Sequence, residues 1–302
     1  MQRRPAAVEV TRKPLFMGEA LQIGTVEMRP SSDACGDIEW QSSNVVVLPL
    51  SGLFSKHDGP NRHVLGTPSH AVFVAAEMPY RIGFPGAIGD RALALRFEET
   101  LAPERLDRRG EGVDLAPHGL LSAEAMMLRN LLRLRLERGD AEELEIEALG
   151  LELLDAALES MRIGRAPRRR SVHLRRARAV ARVKQAVALA PSERWRLAEL
   201  ADVACLSPFH LCRVFREIVG CSIYDYVLQE RLAHALEAVL DGGEDLTGIA
   251  LEAGFASHSH FTARFRRFFG CTPAALRRTA TAGGIAELRR IMTARRSHPP
   301  LE

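Results

Sequence analysis

Two stretches of the sequence carry side chains that could bind a nucleic acid, and both have the same layout. SPFHLCRVFREIVG spans residues 207–220 and SHSHFTARFRRFFG spans residues 257–270. On a helix, each stretch places polar and basic groups opposite an apolar stripe. Arginine can bind guanine or a phosphate oxygen, histidine and hydroxyl groups can bind either, and an apolar ring can contact the thymine methyl group. Glu217 is the only acidic residue in the two stretches, which favours contact with DNA over a merely solvated face.

The outer faces of these helices supply the candidate DNA-binding residues. They are Ser207, Pro208, Phe209, His210, Cys212, Arg213 and Arg216 in the first stretch, and Ser257, His258, Ser259, Thr262 and Arg266 in the second. The inner stripes, spaced i, i+4 and i+8, are Leu211, Phe215 and Val219, and Phe261, Phe265 and Phe269. Each helix is predicted to begin at a serine N-cap and to end at a glycine, Gly220 or Gly270.

A shorter helix is predicted before each stretch, at residues 196–205 and 245–254, so that each unit reads helix, tight turn, helix. Their inward residues are Leu197, Leu200, Ala201 and Ala204 in the first unit, and Leu246, Ile249, Ala250 and Ala253 in the second. A long helix between the units, residues 224–240, would bury Leu232, Leu236, Val239 and Leu240. Held on this helix, the two readers could enter major-groove segments about 34 Å apart.

Residues 172–279 resemble the DNA-binding domain of the AraC/XylS family of bacterial transcription regulators. The resemblance is carried by the paired helix-turn-helix pattern, by GFASHSHFTARFRRFFGCTPAALRR at 254–278 and by RLAHAL at 231–236. It implies binding to double-stranded promoter DNA and contact with RNA polymerase. The chain departs from the family pattern at Cys205, Cys212, Ala263 and Leu276.

The N-terminal half is predicted to be a β-domain, which makes the fold class α+β. Short apolar runs at 45–50, 71–76, 80–84 and 91–97 are separated by turn residues. In the last run, Leu93, Leu95 and Phe97 should point one way, and Ala94 and Arg96 the other. A small β-barrel or sandwich is expected, loosely similar to the cupin-like sensor and dimerisation domains of the same family. That similarity implies a homodimer and a small-molecule effector.

The predicted domains are a cupin-like domain at 1–120, a helix pair with a basic linker at 121–171, the DNA-binding domain at 172–279 and a tail at 280–302. The helices of the pair are expected at 123–138, with Ser122 as N-cap, and at 141–163. They could pack on the chain's own core or on a second subunit. Seven arginines within 165–178 indicate an extended, solvated linker.

Charge divides the chain in the same place. The 302 residues have a net charge of +3, but the part from residue 165 onward has 23 Lys and Arg against 13 Asp and Glu, and the remainder has 18 against 25. This uneven distribution indicates that only the basic C-terminal half contacts a polyanion such as DNA. With 46% hydrophobic residues and no long apolar run, the chain is expected to be cytoplasmic and to have no membrane partner.

Enzymatic and metal-binding functions find little support in the sequence. The histidines of the N-terminal half, which are His57, His63, His70 and His118, lack the spacing of a metal cupin. They are predicted to be scattered surface or core residues, with a histidine in an effector pocket as the alternative. No catalytic residues, metal site or cofactor are expected. The five cysteines lack CxxC spacing and are predicted to be buried apolar side chains. Besides an effector-controlled regulator, two alternatives remain: an N-terminal domain that serves only as a protein-interaction module, and a cupin enzyme fused to a DNA-binding domain.

Overall fold

The structure is a computed structural model that describes residues 7–59, 62–98, 115–139, 141–162 and 170–281. Its N-terminal part consists of β-strands. These are β1 (Val8–Met17), β2 (Leu21–Pro30), β3 (Asn44–Gly52), β4 (Phe54–Gly59), β5 (Arg62–Gly66), β6 (His70–Val74), β7 (Arg81–Gly83), β8 (Asp90–Phe97) and β9 (His118–Leu120). A single 3₁₀ turn, Pro85–Ala87, lies between β7 and β8.

The described strands form two antiparallel sheets. One has the order β1-β2-β8-β3-β6-β9 and the other the order β5-β4-β7. An apolar cluster joins them, with Val45 and Val72 from the larger sheet and Phe54 and Ile82 from the smaller one. The α+β class is therefore confirmed, and the β-domain is a pair of facing sheets rather than a closed barrel.

The other face of the larger sheet carries a helix pair, α1 (Ala123–Arg138) and α2 (Glu143–Ser160). In β8, Leu93, Leu95 and Phe97 join the helix-side cluster whereas Ala94 joins the cluster between the sheets, as the alternation predicted. Gly150 of α2 lies so close to β2 that a Cβ atom there would be 2.5 Å from Leu21 Cδ2.

The helix pair packs on the chain's own core. The buried residues of α2 are Ile146, Leu149, Leu153, Leu154, Ala157 and Leu158, and they share one cluster with the sheet and α1. The bounds of α1 match the prediction, because the Ser122 hydroxyl accepts a hydrogen bond from the Ala125 N–H. Helix α2 is shorter at both ends than the predicted 141–163. Of the two predicted alternatives, the buried stripe of α2 therefore packs on the chain's own core.

The C-terminal part is helical. Its helices are α3 (Arg170–Leu189), α4 (Leu197–Ala204), α5 (Pro208–Val219), α6 (Ile223–Asp241), α7 (Leu246–Glu252), α8 (His258–Phe269) and α9 (Pro273–Thr281). Residues 170–178 belong to α3, so the extended linker predicted for 165–178 is wrong there, where the run continues into a helix with a buried valine stripe. Residues 165–169 of that linker and residues 282–302 of the predicted tail lie outside the described residues.

The two helix-turn-helix units have different cores. The first unit packs around Val183, Leu211, Phe215 and Tyr226 in a cluster of its own. The second unit, with the stripe of α8, shares the large cluster that also contains α1, α2 and the β-sheet. Polar contacts reinforce this second junction, among them the Arg133–Asp241 ion pair at 2.7 Å.

The cysteines are only partly as predicted. Cys271 is buried, but Cys205 and Cys212 are exposed. The prediction that all are buried is wrong for these two because both lie on the solvent side of the first unit, where only the opposite face packs. Within the described ranges, no helix has the length and apolar composition needed to cross a membrane.

Candidate nucleic-acid interface

Helices α5 and α8 are built alike at both ends. The Ser207 hydroxyl accepts a hydrogen bond from the His210 N–H at 3.4 Å, and the Ser257 hydroxyl accepts one from the His260 N–H at 3.2 Å. At the C-terminal ends, Gly220 and Gly270 have φ angles of 87° and 84°, a left-handed conformation that glycine adopts without a Cβ clash. The predicted caps and stops are confirmed.

The inner stripes of the two helices face the core. Leu211 and Phe215 are fully buried in α5, while Val219 is half-buried at its end. In α8, Phe261, Phe265 and Phe269 are all fully buried. Their successive ring centroids are 5.4 and 4.5 Å apart, which is the spacing of favourable aromatic pairs. This stripe fixes which face of each helix is left for solvent.

The predicted contact residues lie on that remaining face. Exposed residues are Ser207, Pro208, Phe209, Cys212, Arg213, Arg216, Ser257, His258, Ser259 and Arg266, while His210 and Thr262 are half-buried. Phe209 is 81% exposed, and such high exposure is unusual for an aromatic side chain. The structure thus brings the first seven together on α5 and the other five together on α8, each set beginning at the N-cap.

Local contacts organise the charged groups of α5. Arg213 Nη2 lies 3.2 Å from His210 Nδ1. The Glu217 carboxylate lies 3.8 Å from Arg213 Nε and 3.3 Å from Arg176 Nη1. Because Glu217 is flanked by two guanidinium groups, its negative charge is offset on a face that is otherwise basic.

The leading helices pack largely as predicted. Leu200, Ala201 and Ala204 of α4 are buried, as are Ile249 and Ala250 of α7. Leu246 and Ala253 are half-buried against the same core. Leu197 is the exception, at 42% exposed. Its predicted burial is wrong because it is the first residue of α4 and extends beyond the helix crossing.

Both tight turns use left-handed backbone. Cys205 has a φ angle of 54° and Gly254 one of 79°. A cysteine therefore occupies a conformation that L-residues seldom adopt. The connecting helix α6 buries Leu232, Leu236, Val239 and Leu240, as predicted, and its N-cap is Ser222. The two units are joined by one continuous rod.

Three arginines that the pattern did not single out hold the units to their neighbours. Arg182 donates to the Val203 and Ala204 carbonyls, Arg231 to those of Pro191 and Glu193, and Arg277 to those of Val239 and Glu244. The sequence also places charged residues inside otherwise apolar stripes, which indicates buried groups with a special role. Lys184 and Glu230 sit in the inward faces of α3 and α6, and both are buried.

The histidines of the β-domain are not scattered. His57, His63, His70 and His118 all line one cavity of about 690 Å³ between the β-domain and α3. The prediction of scattered histidines is wrong because β4, β5, β6 and β9 place them on one side of the domain. Among the described residues, no group of three or more His, Cys, Asp or Glu is arranged to hold a metal ion.

Known proteins match the C-terminal units. A family model described as a helix-turn-helix domain matches residues 200–279. The probable transcription factor PqrA of Proteus vulgaris is 32% identical over 90 residues, which are 30% of this chain and 74% of PqrA. The chain belongs to the AraC/XylS family of transcriptional regulators.

Other AraC/XylS relatives match over different lengths. The virulence regulon transcriptional activator VirF of Yersinia enterocolitica is 34% identical over 88 residues, 29% of this chain and 32% of VirF. The regulator ArgR of Pseudomonas aeruginosa is 26% identical over 247 residues, 80% of this chain and 72% of ArgR. The chain thus spans about a third of the length of VirF and most of that of ArgR.

Proposed function

We propose that this AraC/XylS chain is a transcription regulator that binds double-stranded promoter DNA with α5 and α8. The observation that supports it is the pair of capped helices on one rod, each with its apolar face buried and its polar and basic face exposed. A helix of this kind fits the major groove and presents its N-terminal residues to base edges. The likeness to PqrA and VirF supports the same role.

The two contact faces differ, which suits an asymmetric site. Helix α5 offers an exposed aromatic ring, Phe209, together with Arg213 and Arg216, whereas α8 offers His258, hydroxyl groups and Arg266. An aromatic ring can contact a thymine methyl group, and arginine binds guanine or phosphate. One subunit would therefore read two different half-sites about one helical turn, about 34 Å, apart.

Promoter binding by arginine variants tests this proposal. The Arg213→Ala and Arg266→Ala chains should each lose about 1–3 kcal/mol of binding free energy if the arginine binds a base, and less if it binds a phosphate. Arg29→Ala, an exposed arginine on β2, is the matched control and should bind like the native chain. Affinity should also fall by about 10³–10⁵-fold between 50 and 200 mM salt if six to ten phosphates are contacted. Unchanged binding by the double variant would remove these residues from the interface.

Control by a small effector, and a homodimer that contacts RNA polymerase, extend the proposal to the N-terminal half. The alternative, a domain that only binds other proteins, is favoured by one feature. Ile38, Trp40 and Met78 are exposed apolar side chains on segments joined by backbone hydrogen bonds between Glu39 and Tyr80. Exposed apolar patches mark interaction surfaces. Thermal-shift screening separates the two, since only an effector-binding domain is stabilised by metabolites.

A further inference from the structure

In the described part of the chain, the cavity between the domains offers more space for a ligand than the space between the two sheets. The space between the two sheets, lined by residues such as Val45 and Phe54, has a volume of only about 60 Å³, enough for about two water molecules. The histidine-lined cavity has a volume of about 690 Å³, within the usual range for small-molecule sites. Its walls come from both domains.

A buried cation forms part of the wall. Lys184 of α3 is 9% exposed, and its Nζ lies 3.2 Å from His118 Nε2 and 5.8 Å from the centre of the Tyr226 ring. No carboxylate of the described residues lies within 4 Å of it, and Glu230 acts on it only through space. Burial lowers the pKa of Lys184 to about 8, so the ammonium remains mainly charged at neutral pH.

The imidazole of His118 supplies a hydrogen-bond donor. Burial lowers the pKa of His118 to about 3, so the ring is neutral and carries one proton. Lysine can only donate, so Nε2 must accept from Lys184 and the proton must be on Nδ1. His118 Nδ1 is buried and has no hydrogen-bond partner among the described residues.

The imidazole of His70 supplies the opposite group. Thr67 and Ser69 donate their hydroxyl protons to Glu230 and lie 2.8 and 3.0 Å from His70 Nδ1. With those protons committed, each hydroxyl can only accept from the ring, which places the His70 proton on Nδ1. His70 Nε2 is then an acceptor, and it too is buried without a partner in the described part of the chain. The two rings are close, with centroids 5.8 Å apart.

These groups define the chemistry of an occupant. The Lys184 ammonium suits a carboxylate, which needs an opposite charge. The His118 Nδ1–H points away from Lys184 across the ring, so it suits a second acceptor beside the carboxylate, such as a hydroxyl oxygen. The acceptor on His70 suits a hydroxyl or amino group near that carboxylate. Apolar residues, among them Val180, Ile218 and Val219, leave room for a side chain.

We infer that this cavity is the effector site and that it binds a small carboxylic acid carrying a hydroxyl or amino group beside the carboxylate. The inference rests on the proposed function as an effector-controlled regulator. The cavity is bounded by α3 and by Ile218 and Val219 at the end of α5. A bound acid would therefore join the β-domain to the first helix-turn-helix unit and change the affinity for DNA.

Ligand screening with the full chain tests the inference. The probes are 2-hydroxy acids (lactate and mandelate) and the twenty standard amino acids, with the corresponding amides and with propionate and phenylacetate as controls. At least one acid should raise the unfolding temperature and bind in calorimetry at least tenfold tighter than its amide or the acid without the second group. No binding by any acid, or equal binding of the amide, would overturn the inference.

Variants place the bound acid in the cavity. Lys184→Met and His118→Phe should each weaken its binding at least tenfold, while Lys13→Met, at an exposed lysine of β1, should not. If Lys184→Met does not fold, Ala181→Phe, which fills the cavity from α3, serves instead. Native-like binding by the folded variants would place the site elsewhere. The acid should also change promoter affinity at least threefold, and no change would refute the regulatory part.

The two proposals fail separately. Promoter binding by the arginine variants is measured without any acid, and acid binding is measured without DNA. A chain that binds DNA but no acid refutes only the effector site. A chain that binds an acid in this cavity but no promoter DNA refutes only the proposed function.

Discussion

Ser69 Oγ donates a hydrogen bond to Glu230 Oε1 over 2.5 Å, and both side chains are fully buried. Ser69 precedes β6 of the β-domain, whereas Glu230 lies on α6, the rod that carries both helix-turn-helix units. Thr67 donates to the same oxygen at 3.1 Å. A carboxylate that accepts two hydroxyl bonds away from water links the position of the rod to that of the sheet.

Removing this carboxylate should loosen the junction of the domains. We expect Glu230→Ala to lower the free energy of unfolding by about 3–5 kcal/mol, because the hydroxyls of Thr67 and Ser69 and the Lys184 ammonium lose their acceptor or countercharge. Glu230→Gln keeps an acceptor oxygen and should cost less. Denaturant titration measures both, with the exposed Glu252→Ala as control. Equal stability of Glu230→Ala and the native chain would contradict the role of this contact.

Asp90 should make the protein less stable as pH rises. It is 4% exposed, neither carboxylate oxygen has a hydrogen-bond partner among the described residues, and burial raises its pKa to about 7. The folded chain therefore holds this proton up to about pH 7, whereas the unfolded chain releases it near pH 4. Stability from this group falls between about pH 4 and 7, by up to about 4 kcal/mol.

The neutral variant Asp90→Asn should abolish that loss. Its free energy of unfolding should be close to that of the native chain at pH 5 and higher at pH 8. Denaturant titrations at the two pH values test this. If the difference in free energy of unfolding between the native chain and Asp90→Asn is the same at pH 5 and pH 8, the carboxylate is solvated or paired in solution.

Phe261 of α8 and Phe209 of α5 should differ in how much stability the protein loses when each is truncated to alanine. Phe261→Ala removes a fully buried ring and should cost about 3–5 kcal/mol of stability. Phe209→Ala removes an 81% exposed ring, so stability should change by less than about 0.5 kcal/mol while promoter affinity falls. Melting curves and DNA titrations of both variants measure this difference. A large stability loss for Phe209→Ala would show that its ring is packed.

The turn residues of the two units should also differ. Cys205→Gly should raise stability by up to about 1 kcal/mol, because glycine adopts φ of 54° without the cost borne by an L-residue. Gly254→Ala should lower it by more than about 2 kcal/mol, since a Cβ atom there would lie 2.4 Å from the Ser192 carbonyl oxygen. Thermal unfolding compares them. A destabilised Cys205→Gly chain would mean that the cysteine side chain packs usefully.

The helices were predictable because their signals are local. A serine N-cap, a glycine stop and an i, i+4 apolar stripe define α5 and α8 within fourteen residues each. The strands β1, β2, β4, β5 and β9 lie outside the predicted strand runs. In β1 every side chain is exposed or half-buried and the sequence does not alternate. Strand β1 forms because it pairs with β2, and the sequence of β1 alone does not reveal that partner.

The cavity was beyond the reach of sequence reasoning for a related reason. His70 and Lys184 are 114 positions apart in the sequence and share a cavity only after the two domains dock. A charge within an inward-facing stripe, as at Lys184 and Glu230, was the available hint. It indicates an unusual buried group but does not identify the opposite wall.

The unequal cores of the two helix-turn-helix units have a consequence for how each unit depends on the β-domain. The second unit is continuous with the sheet and the helix pair, whereas the first is centred on a cluster of its own. Helix α8 therefore shares its core with the β-domain, whereas α5 is connected to that domain through α6 and through the contacts of α3. A substitution in the core of the β-domain is therefore expected to disturb the second helix-turn-helix unit more directly than the first.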